Sequence, residues 1–96
     1  MSPDKQKKLN KIRNQLDNLD NSLIKLIKKR TELVKKVLKL KEYKNQIVDK
    51  KRIKVILSQI KKKSLKNKID PKITNRIWKN MVWSYIDFEK RNFKKK

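Results

Sequence analysis

Three cations stand out by their places on one long amphipathic run: Arg13, Arg30 and Lys41. Around them apolar residues recur in alternating steps of three and four. Leu9, Leu16, Leu23 and Val37 share one heptad position, and Ile12, Leu19, Leu26, Leu33 and Leu40 share the other. Arg30 falls between Leu23 and Val37, at a position its neighbouring heptads fill with Leu and Val. A guanidinium on such a seam is costly unless an anion meets it. Either a ligand or partner supplies that anion, or Arg30 is a polar residue that sets coiled-coil register. Lys41 is three helical turns further on, on nearly the same face and roughly 16 Å along the axis. Arg13 precedes Arg30 by roughly 25 Å, so one small ligand cannot touch both on a single helix.

An antiparallel pair of such helices resolves the distance. With the crossing point near residue 24, Arg13 of one copy lies level with about residue 35 of the other, between Arg30 and Lys41. Symmetry then makes two identical sites, each with Arg13 from one chain and Arg30 and Lys41 from its partner. Three converging cations among apolar neighbours suit a small dianion or trianion.

The elements that must hold these residues are helices. Ser2-Pro3-Asp4 is an N-cap, a first-position proline and a first-turn acid. The seam extends that helix over residues 3–41, which at about 1.5 Å per residue approaches 60 Å, too long for a compact monomer of this size. A polar break at 43–48 follows. Asp49 then caps a second helix that carries Arg52, Ile53, Ile56 and Ile60 on one face and ends in the polar run 61–68. Asp70-Pro71 starts a third, with Ile73, Ile77, Trp78, Met81, Val82, Tyr85, Ile86 and Phe88, which frays near Lys94. The reading is all-α: three helices per chain, one long and two shorter, in an intertwined antiparallel homodimer. Residues 1–93 form one domain, and 94–96 are a disordered basic tail.

Composition narrows the chemistry. The chain has 96 residues and no Gly, Cys or His. That removes thiol nucleophiles, Ser-His-Asp triads, zinc fingers, the P-loop and the Rossmann fingerprint. No apolar stretch reaches signal-peptide or membrane-span length, so a cytoplasmic protein is expected. The net charge of +22 invites a nucleic-acid reading. Against it, Arg stands only at 13, 30, 52, 76 and 91 among many Lys, and Lys, Asn and Ile are all abundant, as A+T-rich codon usage produces. A basic helical nucleic-acid-binding protein remains the alternative of a different class; it predicts salt-sensitive binding and gives no reason for Arg30 on a seam.

The run LNKIRNQLDNLDNSLIKLIKKRTELVKKVLKLK resembles the first helix of the AroQ-type chorismate mutases, with Arg13, Arg30 and Lys41 at its cationic positions. VDKKRIKVIL resembles the start of the second helix, giving Asp49 and Arg52, and IDPKITNRIWKNMVWSYIDFEKRNF resembles the third, giving Tyr85 and Glu89. The resemblance implies an intertwined dimer of three-helix chains. It also implies the Claisen rearrangement of chorismate to prephenate in Phe and Tyr biosynthesis. That reaction is intramolecular and needs no cofactor, metal or nucleophile. By the same resemblance, Arg13 of the partner and Arg30 bind the substrate carboxylates. Lys41 and Glu89 face the ether oxygen, and Arg52 supports a carboxylate. Asp49 lies near the ring hydroxyl, and Val37, Ile56, Val82 and Ile86 form the apolar wall. Plainer roles stand beside these: Asp49 as a helix cap, Arg52 as a surface residue, and Trp78, Trp83, Tyr85 and Phe88 as core and rim aromatics. Two positions depart from the common pattern. Ile53 stands where many mutases carry Glu, and Glu89 where many carry Gln. An apolar residue at 53 also occurs in some stand-alone mutases and in the related isochorismate-pyruvate lyases, which are the alternative within the family.

Overall fold

Each helix begins where the chain supplies an oxygen for its unpaired N–H groups. The computed structural model describes residues 1–94, and among them every regular element is helical: α1 (Pro3–Leu40), α2 (Lys50–Lys66), α3 (Pro71–Asn92) and one 3-10 turn, Lys44–Gln46. Ser2 Oγ accepts from Lys5 N at 3.3 Å ahead of α1. Asp49 Oδ1 accepts from Arg52 N at 3.0 Å ahead of α2, and Asp70 Oδ1 accepts from Lys72 N at 2.9 Å ahead of α3. Pro71 takes the first helical position, where no N–H is missed. The helix ends fall slightly inside expectation: α1 stops at Leu40 rather than 41, and α3 at Asn92 rather than near Lys94. The polar break contains the 3-10 turn, which its polar sequence did not announce. Of the expected tail, Lys94 is exposed coil, and residues 95–96 lie outside those described.

The chain forms two compact units, Met1–Leu33 and the residues from Val34 onward. The first unit is helix alone. No residue of α1 is buried, and seam residues such as Leu16, Leu23 and Leu26 are all more than half exposed. Isolated helices gain little from propensity and depend on packing of an apolar face.

The second unit has a small core of Ile47, Val82 and Ile86, with Val48, Ile53, Ile56 and Phe93 packed against it. α2 packs on α3. Buried Ser64 sits at their joint: its Oγ donates to Ile60 O at 2.6 Å and shares a 2.6 Å hydrogen bond with the half-buried Thr74 Oγ1. The turn between α2 and α3 is a Schellman motif, with Ile69 N donating to Ser64 O at 2.8 Å and Lys68 N to Leu65 O at 3.2 Å. Its left-handed position, usually glycine, is held by Lys68 at φ 57°.

Candidate active site

Glu89 is a carboxylate on the buried face of α3. It follows Val82 and Ile86 at steps of four and three, which places all three on one stripe, and all three are buried. A carboxylate taken from water needs a partner. Lys41 supplies it: Nζ lies 2.9 Å from Glu89 Oε1, and the two side chains are only 18% and 7% exposed. The ammonium also donates to Ile47 O at 3.5 Å. An ammonium has three donors, so one N–H is left for a further acceptor. Lys41 follows the last residue of α1, and its own N–H is held by Leu38 O at 3.2 Å. The side chain is thereby fixed from the helix end, from the loop and from α3.

Beside Lys41 is an open depression of about 640 Å³, lined among others by Gln46, Val48, Asp49 and Lys51. Asp49 has one carboxylate oxygen engaged as the cap of α2. Arg52 is exposed one turn into α2, Ile56 is half-buried, Val37 is about half exposed, and Tyr85 is half-buried on α3. In the first unit Arg13 is exposed and Arg30 is partly buried. The second unit therefore brings together Lys41, Glu89, Val82 and Ile86, with Asp49 near Lys41 across the depression. Ile53 is packed against the core cluster, which is why an apolar side chain suits that place.

Three contributors escaped the sequence reading. Ile47 is the most buried apolar residue, at 3% exposure, and its carbonyl meets Lys41. Gln46 organises the loop, and Ser64 is buried under the α2–α3 joint. Nothing in local spacing marks a single Ile or Gln in a polar stretch; the Asp49 cap only fixes where the loop must end. Among the described residues no group of acidic side chains is placed to hold a metal ion, and no helix is long and apolar enough to cross a membrane.

Among the described residues, then, there is no strand, and a lysine–carboxylate pair is sunk against an apolar stripe of α3. Residues 12–90 match the family chorismate mutase type II, and the chain belongs to that family; the domain implies an isomerase. No curated protein and no solved structure matches the chain.

Proposed function

We propose that the protein is a chorismate mutase acting in Phe and Tyr biosynthesis as a homodimer with two shared sites. The observation that carries this reading is the Lys41 ammonium, held against buried Glu89 with a donor to spare. In the rearrangement the ether C–O bond breaks as a C–C bond forms within one molecule, and negative charge grows on the ether oxygen. A fixed ammonium stabilises that charge without reorganising. Arg30 and the partner's copy of Arg13 bind the two carboxylates and hold the reacting ends together, with Arg52 in support. Asp49 accepts from the ring hydroxyl, Tyr85 lies at the rim, and Val37, Ile56, Val82 and Ile86 pack against the ring. The exposed seam of α1 supports the dimer, because a second copy of the same helix would cover it.

The alternative within the family, an isochorismate-pyruvate lyase, is favoured by one observation: Ile53 turns an apolar side chain to the core where a ring-hydroxyl-binding Glu would stand. Purified protein incubated separately with chorismate and isochorismate decides between them. Prephenate from chorismate is expected. Salicylate and pyruvate from isochorismate, with chorismate untouched, would establish the lyase instead.

A further inference from the structure

The loop after α1 is closed by one side chain. Beyond Leu40 the backbone leaves the helix, so the N–H groups of Glu42 and Tyr43 lose helical acceptors. Gln46 Oε1 accepts both, from Glu42 N at 2.8 Å and from Tyr43 N at 2.9 Å. The backbone returns the connection, with Gln46 N donating to Tyr43 O at 3.0 Å and Ile47 N to Lys44 O at 3.2 Å. The turn is thus tied twice, once through side chain and once through backbone. Its product is the placement of Ile47: the side chain enters the core at 3% exposure and the carbonyl faces Lys41 Nζ at 3.5 Å.

We infer that Gln46 is a positioning residue for the rearrangement: by closing the loop over residues 42–46 it aims the Ile47 carbonyl at Lys41 and so fixes the ammonium that meets the ether oxygen. This rests on the mutase reading of Lys41. The ammonium sits on a flexible four-carbon stem with three rotatable donors, so its direction must come from its acceptors. Glu89 supplies one and the loop supplies the other. Charge on the ether oxygen develops in the transition state, so a poorly aimed ammonium costs turnover more than binding. Only the carbonyl oxygen of Gln46 is used in the two loop bonds. A carboxylate of the same length can take its place.

The test compares Gln46→Ala and Gln46→Glu with the native protein, using chorismate kinetics together with hydrogen exchange at the Glu42 and Tyr43 amides. Circular dichroism at the assay temperature checks that each variant is folded. Native turnover of chorismate is measured first, since its absence would strike the mutase reading itself and this inference with it, whatever the loop does. With native activity present, Gln46→Ala should exchange both amides faster and lose roughly tenfold in kcat with KM within about twofold. Gln46→Glu should restore slow exchange and most of kcat. An alanine variant with freed amides but native kcat would overturn the inference and leave the mutase reading standing. So would a glutamate variant that protects the amides yet turns over as slowly as alanine.

Discussion

Glu89 carries a consequence that follows from what an ether oxygen accepts. An ionised carboxylate has no proton to donate and repels charge growing on that oxygen. In the ion pair with Lys41 it accepts a hydrogen bond, whereas an amide at the same place can also donate one. We therefore expect Glu89→Gln to match or exceed native kcat/KM at neutral pH. The amide offers an N–H to the ether oxygen and keeps a carbonyl for Lys41. A Gln variant that is folded but inactive would remove Glu89 from the ether oxygen. Lys41→Ala is the poorer probe, because leaving Glu89 buried without its cation costs about 3–5 kcal/mol of stability. At this scale Lys41 and Glu89 were both nameable from the sequence through resemblance, while their mutual ion pair was not. A contact across 48 positions depends on how α3 meets the end of α1, which no local spacing encodes.

The elements themselves were legible because their start signals are chemical. Ser2, Asp49 and Asp70-Pro71 each place an oxygen or a proline where a helix must begin, and each does so in the structure. The stops were less legible. The end of α2 is a left-handed residue, and the chain has no glycine to mark it. Lys68 holds φ 57° where its Cβ crowds the following carbonyl. Lys68→Gly should therefore raise the unfolding free energy by about 0.5–1 kcal/mol in urea titrations at fixed protein concentration. Lys68→Ala removes the same charge but keeps the Cβ, and should give no such gain. Equal stabilisation by both variants would show that charge crowding, rather than backbone conformation, is what Lys68 costs. The 3-10 turn after α1 was hidden for a related reason: Gln46 acts as a cap only once the chain has already turned back to bring it there.

For the whole molecule, the heptad spacing of α1 is the most informative feature, and the structure leaves it unsatisfied within one chain. Leu19, Leu26 and Leu33 are each about 60% exposed. Length and composition could say that so long an apolar seam needs a cover; the antiparallel copy and its shared sites came from the distance between Arg13 and Arg30 together with family resemblance. The shared site is the centre of the account, and mixing two inactive chains tests it most directly. Arg13→Ala and Arg30→Ala proteins should each lose most chorismate turnover, since each lacks a charged donor in both sites of its own dimer. After verified subunit exchange, half of the dimers are mixed. In a mixed dimer one site collects both substitutions and the other collects neither. The account predicts recovery to about a quarter of native activity, from one intact site in half of the dimers. No recovery above the separate variants, with exchange shown to be complete, would contradict it and place Arg13 and Arg30 in the service of the same chain or of no site at all.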